Sequence, residues 1–160
     1  MNARSGVYNE SMTLFTAPGQ GHAIRYAGQT MRVLAGWGGE PEGFAVIQMT
    51  VPARFAGPIP HAHDTFDEAV YVLDGALRVV GDSGTVDAST GSLFVAPRGH
   101  RHGFSNPHDT PAQVLGLWSP AHLGLAFMRD IGQALPPTGP PDPDAVSEIY
   151  HRHASRLLPD

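Results

Sequence analysis

Short apolar runs separated by turn-forming residues are the feature of this chain that most restricts its fold. Apolar stretches such as Phe44 to Val51 and Ala76 to Val80 alternate with turn signals such as Asp74-Gly75. Asp-Gly between two apolar runs favours a β-hairpin, because both central residues tolerate positive φ. The 19 Gly and 15 Pro residues are scattered along the chain rather than gathered in one tract. This punctuation predicts an all-β barrel or jelly roll.

The predicted strands form one series that ends at Trp118. They cover Met31 to Gly36, Phe44 to Val51, Ala69 to Leu73, Ala76 to Val80, Thr85 to Ala88, Ser92 to Ala96, His102 to Ser105 and Gln113 to Trp118.

Two amphipathic helices are predicted after the strands, packed on the outside of the barrel or over its mouth. Ser119-Pro120 is typical of a helix start, and apolar residues then recur every four positions from Leu123 to Leu135. A Pro-rich linker at 136–143 precedes a second helix whose apolar face continues to Leu157. We therefore divide the chain into an irregular N-terminal arm (1–22), a β-barrel (23–119) and a C-terminal helical extension (120–160).

Composition argues against several classes of partner. A net charge of −5 without a basic run provides no footprint for nucleic acid. No apolar run approaches the roughly 18 residues of a membrane span, and residues 1–10 lack the pattern of a signal peptide. The chain contains no cysteine, which excludes disulfides and thiolate zinc sites. We expect a cytoplasmic protein that binds neither nucleic acid nor membranes.

Histidine and glutamate residues in two segments predict a metal site. His61 and His63 are two residues apart, so both rings project from the same face of a strand. Glu68 shares a strand face with Val70 and Val72, and a carboxylate facing the interior is costly unless it is paired or bound to a cation. His102 follows the turn at 97–99 and can approach the same point from another strand.

We therefore predict one divalent transition-metal ion on His61, His63, Glu68 and His102. Three imidazoles and one carboxylate suit Fe, Mn, Ni, Co, Cu or Zn, and ligand type alone does not select among them.

These two segments resemble the paired motifs of the cupin superfamily, G-x5-H-x-H-x3,4-E-x6-G and G-x5-P-x-G-x2-H-x3-N. His61-x-His63, Glu68 and Gly75 match the first motif, and residues 91–106, from Gly91 to Asn106, match the second throughout. One departure is that three residues, rather than five, separate Gly57 from His61. The resemblance implies a double-stranded β-helix (cupin/jelly-roll) barrel with the metal inside one end, usually in a homodimer.

A looser resemblance, over roughly residues 20–135, is to bacterial single-domain quercetin 2,3-dioxygenase-type cupins. It rests on the segments at 60–63, 67–75, 95–99 and 119–132. It implies a dioxygenase that acts on a flavonol-like or other enolisable small molecule, with Glu68 as both metal ligand and catalytic base. Candidates for an apolar substrate pocket are Phe66, Phe94, Phe104, Phe127 and Met128.

Two other functions use the same four ligands. One is a metal-dependent isomerase, cyclase or lyase that consumes no oxygen, and the other is a barrel that captures a small molecule without turnover. Outside the ligand set, we interpret His100 and Arg98 as surface turn residues near the site and Asn106 as a support for the strand end. His151 and His153 do not share a helix face, so no second metal site is predicted there.

Overall fold

A computed structural model of the chain describes residues 15–27, 29–36 and 43–159. Over these residues the elements are β1 (His22–Tyr26), β2 (Gln29–Ala35), β3 (Ala45–Val51), β4 (His61–His63), β5 (Asp67–Asp74), β6 (Ala76–Gly81), β7 (Gly84–Ser89), β8 (Leu93–Ala96), β9 (His102–Ser105), β10 (Ala112–Ser119), α1 (Ala121–Ala134), α2 (Pro143–Arg152) and β11 (Ser155–Leu157).

The strands form two antiparallel sheets. The larger has the order β1-β2-β3-β10-β5-β8, and the smaller has the order β11-β4-β9-β6-β7. Strands β3 and β10 alternate between buried and less buried residues, as expected of a sheet with one face on a core. The core between the sheets includes Ile47, Leu77, Val114 and Trp118. This arrangement confirms the predicted all-β jelly roll with two C-terminal helices. The hairpin expected at Asp74-Gly75 is wrong, because this turn carries the chain from β5 in the larger sheet to β6 in the smaller one.

Helix α1 packs against β1, β3 and β10 of the larger sheet, and α2 packs against α1 and β11. The close approach of α1 to the sheet depends on Gly124, where a Cβ atom would lie 2.2 Å from the Cβ atom of Trp118. Neither helix is long and apolar enough to cross a membrane.

The C-terminal segment differs from the sequence prediction. The extension of the second helix to Leu157 is wrong, because α2 ends at Arg152. Ala154 then adopts a positive φ of 48°, which turns the chain so that Ser155, Arg156 and Leu157 pair with β4. The predicted helical extension therefore also contributes a strand to the smaller sheet.

The N-terminal segment also contains a strand that the apolar pattern does not predict. Strand β1 is mostly exposed or half-buried, so it lacks the apolar alternation that marks the other strands. Residues 15–21 form neither helix nor strand. Residues 1–14, the rest of the predicted arm, lie outside the described residues.

Candidate metal centre

The two sheets bring the four predicted ligands together. His61 and His63 on β4 and His102 on β9 come from the smaller sheet, and Glu68 on β5 comes from the larger one. All four side chains are buried, and one ligand atom from each lies within 4.8 Å of those from the other three. His61 and His102 are directly paired across the two strands. The group can hold one metal ion between the sheets.

Backbone carbonyls determine the tautomers of His61 and His102. The His61 Nδ1 atom lies 2.8 Å from the Ile59 carbonyl oxygen, and the His102 Nδ1 atom lies 3.0 Å from that of His100. A carbonyl oxygen only accepts hydrogen bonds, so each Nδ1 atom carries the proton. In the neutral imidazoles, both Nε2 atoms therefore keep a free lone pair.

Ser155 performs the same task for His63. The His63 Nδ1 atom lies 2.7 Å from the Ser155 Oγ atom, and this hydroxyl donates its own proton to the His153 carbonyl oxygen, 3.2 Å away. The Ser155 oxygen must therefore accept the proton of His63 Nδ1, which leaves a lone pair on His63 Nε2 as well. The pairing of β11 with β4 sets Ser155 opposite His63. In their neutral forms, all three ligand imidazoles thus present an unprotonated Nε2 atom.

Glu68 completes the donor set from the opposite sheet. Its Oε2 atom lies 3.5 Å from His63 Nε2 and 3.7 Å from His102 Nε2. The same oxygen accepts a 3.0 Å hydrogen bond from the Trp118 indole Nε1 atom. Trp118 is the cross-strand partner of Glu68 on β10.

The environment of these atoms fits a cation. Within the described part of the chain, His63 Nε2 and His102 Nε2 are buried without a hydrogen-bond partner, although buried polar atoms are ordinarily paired. Lone pairs that face a carboxylate oxygen across 3.5 to 3.7 Å repel one another. A divalent ion between them would satisfy the unpaired nitrogens and the carboxylate together.

Burial and mutual interaction set the protonation of the group. Burial lowers the pKa of His61 to about 3 and also lowers the pKa of His63, so both are neutral at pH 7. Burial alone would raise the pKa of Glu68, but His102 and His63 hold it well below its usual value. Burial also acts to lower the pKa of His102, yet the adjacent Glu68 more than offsets this and raises it. In the protein without metal, a proton shared by His102 and Glu68 therefore competes with a metal ion for binding to these two side chains.

A small cavity of about 50 Å³ borders the centre on the side of His61 and Glu68. Its walls are mostly apolar and include three residues predicted for a pocket, Phe104, Phe127 and Met128. The other two predicted pocket residues lie elsewhere. Phe66 stacks on His63 with ring centroids 4.1 Å apart, and Phe94 is outside the cavity wall. We call this cavity the inner chamber.

Sequence reasoning missed two tyrosines in the chamber wall, Tyr26 and Tyr150. The ring centroid of Tyr150 is 5.2 Å from that of His61. Burial raises the pKa of both phenols, so each carries its proton at neutral pH. Trp118 and Ser155 were also missed as partners of the ligands. Trp118 was visible only as an apolar strand residue, and Ser155 gave no signal because it lies 92 positions after His63.

Other polar residues near the motifs have surface partners. Arg98 forms an ion pair with Asp67, and His100 lies 2.6 Å from Asp82 at an exposed position. Neither Arg98 nor His100 lines the inner chamber. Asn106 is buried and donates to two backbone carbonyl oxygens at the end of its strand, in agreement with the supporting role predicted from the sequence.

An antiparallel jelly roll with three imidazoles and a carboxylate between its sheets belongs to the class of small barrels that can hold a buried metal ion. Residues 47–118 match the family model of the cupin domain (Cupin_2). The chain therefore contains a cupin domain, as the paired motifs implied. The narrower resemblance to quercetin 2,3-dioxygenase-type cupins stays a prediction.

Individual relatives are similar over part of the chain. A germin-like protein of Arabidopsis thaliana (subfamily 2 member 3) is 32% identical over 90 residues, which are 53% of this chain and 40% of the relative. Germin-like protein 5-1 of Oryza sativa subsp. japonica is 34% identical over 92 residues, 54% of this chain and 40% of its own length. The chain thus spans well under half the length of these curated relatives.

Among solved structures, the polyketide cyclase RemF of Streptomyces resistomycificus is 25% identical with a TM-score of 0.54, over 68% of this chain and 80% of that chain.

Proposed function

We propose that this protein is a metal-dependent enzyme that acts on an enolisable small molecule without consuming oxygen, as an isomerase, cyclase or lyase. The observation that carries the proposal is the convergence of three imidazole nitrogens and one carboxylate oxygen beside an inner chamber. His61, His63, Glu68 and His102 would hold the ion. A divalent ion bound there supplies Lewis-acid polarisation of a substrate carbonyl or enol oxygen.

The protein side chains supply the proton chemistry and the exclusion of water. Glu68 is ionised at neutral pH and borders the chamber, so it is placed to accept a proton from a substrate carbon or hydroxyl. The Trp118 indole holds its Oε2 atom. Tyr26 and Tyr150 keep their protons and can donate hydrogen bonds to a substrate oxygen. The apolar walls strengthen these interactions by keeping water out.

One observation favours a reaction without oxygen over a dioxygenation. RemF, which is similar to this chain in sequence and fold, is described as a polyketide cyclase. The inner chamber of about 50 Å³ is far smaller than the roughly 300 Å³ typical of pockets that enclose drug-sized molecules, so on either hypothesis only the reacting part of the substrate fits inside it.

A dioxygenase is the second candidate. Its support is the loose resemblance to quercetin 2,3-dioxygenase-type cupins, together with a donor set that suits the redox metals Fe, Mn, Co, Ni and Cu. Glu68 would then remove the proton of the substrate hydroxyl.

The test combines elemental analysis of the purified protein with two simultaneous readouts on a panel of β-dicarbonyl and enol substrates. Exchange of the α-proton with solvent is followed by NMR, and oxygen consumption is followed with an electrode. We expect exchange without oxygen uptake, and loss of that exchange in Glu68→Gln. The matched control is Asp67→Asn, which changes the neighbouring carboxylate that faces Arg98 instead.

Each outcome assigns a function. Oxygen uptake coupled to substrate loss would replace the proposal with the dioxygenase. Recovery of a bound, unchanged small molecule, with neither exchange nor oxygen uptake, would indicate a barrel that only binds its ligand.

We also propose that the protein forms a homodimer through the outer face of β5 and β8. Tyr71, Leu73, Leu93 and Val95 on this face are 38%, 38%, 60% and 54% exposed. Tyr71 and Leu93 are cross-strand partners, so these side chains form one apolar patch, and β8 is the edge strand of its sheet. Contiguous apolar patches and open strand edges are typical of surfaces that bind another chain.

A further inference from the structure

The inner chamber adjoins a much larger groove on the outside of the barrel mouth. The groove has a volume of about 520 Å³, against about 50 Å³ for the chamber. The two spaces share six wall residues: Tyr26, Ala27, Gln29, Phe55, Pro58 and Tyr150. Because the same side chains form the floor of the groove and the wall of the chamber, only this one layer of residues separates the groove from the metal centre, and a molecule that parts these side chains reaches the chamber.

The groove is apolar. Its outer wall is built from the end of α1, the Pro-rich segment after it and the first turns of α2, with Ile131, Leu135 and Val146 among the lining residues. Within the described ranges, no Lys, Arg, Asp or Glu side chain lines the groove. Among the residues that the structure describes, Glu68 is the one such residue in the chamber wall, and it belongs to the metal centre.

This chemistry disfavours a phosphorylated substrate. Phosphate recognition in proteins relies on Arg or Lys side chains or on the backbone N–H groups of a helix N-terminus. The groove borders the N-terminus of α2, but Asp142 already caps that end by accepting from the Asp144 N–H group. The carboxylates of Asp142 and Asp144 therefore lie at the helix end where a phosphate would need positive charge.

We propose that the groove binds the uncharged apolar tail of the substrate while its small oxygen-bearing head enters the inner chamber. This assignment rests on the proposed metal-dependent function and deepens it. The substrate class is an enolisable head of a few heavy atoms joined to an alkyl or aryl tail. Tyr26 and Tyr150 lie at the junction, where their phenol groups separate the polar head from the tail.

Hydroxamic acids of different tail length test the proposal, because their head binds a metal ion through two oxygens. Full-length protein loaded with Co²⁺ is titrated with acetohydroxamic acid and with octanohydroxamic acid, and the visible absorption of the cobalt reports binding. Each buried methylene strengthens binding about fourfold. Three buried methylenes therefore correspond to roughly sixtyfold, and we expect octanohydroxamic acid to bind tighter by at least that factor.

Matched charge insertions locate the tail. Val146→Glu places a carboxylate in the groove and should abolish most of the gain from the tail, while binding of acetohydroxamic acid stays unchanged and reports that the variant is folded. Val86→Glu makes the same change on β7, at a position 59% exposed and away from the groove, and should keep the full gain. Octanohydroxamic acid with a terminal phosphonate should bind like acetohydroxamic acid.

Three results would overturn the assignment. They are equal affinity for the two hydroxamic acids, a tail gain that Val146→Glu leaves intact, or tight binding of the phosphonate derivative. If acetohydroxamic acid itself fails to perturb the cobalt spectrum, the metal centre and the proposed function fall together with the groove. If acetohydroxamic acid binds but octanohydroxamic acid binds no more tightly, only the proposal for the groove is rejected and the metal centre stands.

Discussion

Replacing Ser155 by Ala should weaken metal binding although Ser155 is not a ligand. The hydroxyl accepts the proton of His63 Nδ1 and thereby keeps His63 Nε2 free for the metal. Without that acceptor, the buried Nδ1–H group is unsatisfied. The proton is then better placed on Nε2, where it points at Glu68 Oε2, 3.5 Å away. The metal must displace this proton before it can bind.

The size of the effect follows from the cost of one unpaired buried donor. Leaving such a group without its partner costs about 1–3 kcal/mol. Since a factor of ten in affinity corresponds to about 1.4 kcal/mol, the metal dissociation constant should rise between about 5-fold and 150-fold. This range agrees with the 10- to 100-fold losses, as an order of magnitude, that follow when other partners of metal-bound histidines are removed.

Competition with a chromophoric chelator measures the affinity for Zn²⁺, and urea unfolding of the apoprotein measures stability separately. Arg156→Ala is the matched control, because it disturbs the same strand by removing an exposed ion pair to Asp64 but leaves the Ser155 hydroxyl in place. Ser155→Thr keeps a hydroxyl and should restore part of the affinity. An affinity for Zn²⁺ in Ser155→Ala within twofold of the wild type would refute the tautomer argument.

Four further outcomes are expected. Trp118→Phe removes the hydrogen bond that stabilises ionised Glu68, so Zn²⁺ should be released at a higher pH during acid titration; an unchanged release curve would contradict this. Gly57→Ala should lower the free energy of unfolding, measured in urea, by about 1–3 kcal/mol or more. The reason is that Gly57 has φ +81° and a Cβ atom there would overlap the Phe104 carbonyl oxygen. Leu93→Glu, in the exposed patch of β8, should convert the proposed dimer to monomer in analytical ultracentrifugation, and a wild-type monomer would refute the dimer. In chelator-treated protein, the free energy of unfolding should fall as the pH is lowered from about 6.5 towards 3. The reason is that His61 takes up a proton in the unfolded chain over this range but stays neutral when it is buried in the folded protein. His61→Gln should make the free energy of unfolding, measured in urea, less dependent on pH.

Much of the candidate centre can be predicted from local patterns. Alternation along a strand places His61 and His63 on one face and turns Glu68 inwards with Val70, and the structure shows all of these side chains buried. The turn before His102 is equally local. These features depend on neighbours within a few positions, so the sequence carries them directly.

The helix end and the two unpredicted strands show where local patterns fail. Strand β1 is largely exposed, so it lacks the alternation of apolar and polar residues that marks a half-buried strand. Strand β11 has only three residues, which is too short for such an alternation to be recognised. Each becomes a strand because a partner strand supplies its hydrogen bonds. That partner is tens of residues away for β11, and no local signal encodes it.

The sequence by itself therefore determined the jelly-roll class and the four candidate ligands, since strand period, turn residues and motif spacing are short-range properties. Only the tertiary structure decided what surrounds them. The contacts of Ser155 with His63 and of Trp118 with Glu68, the narrow inner chamber and the uncharged groove all arise from the register between distant strands and from the packing of α1 and α2. Ligand identity is encoded along the chain, whereas the tautomers of the ligands and the size of the space beside them depend on which segments meet.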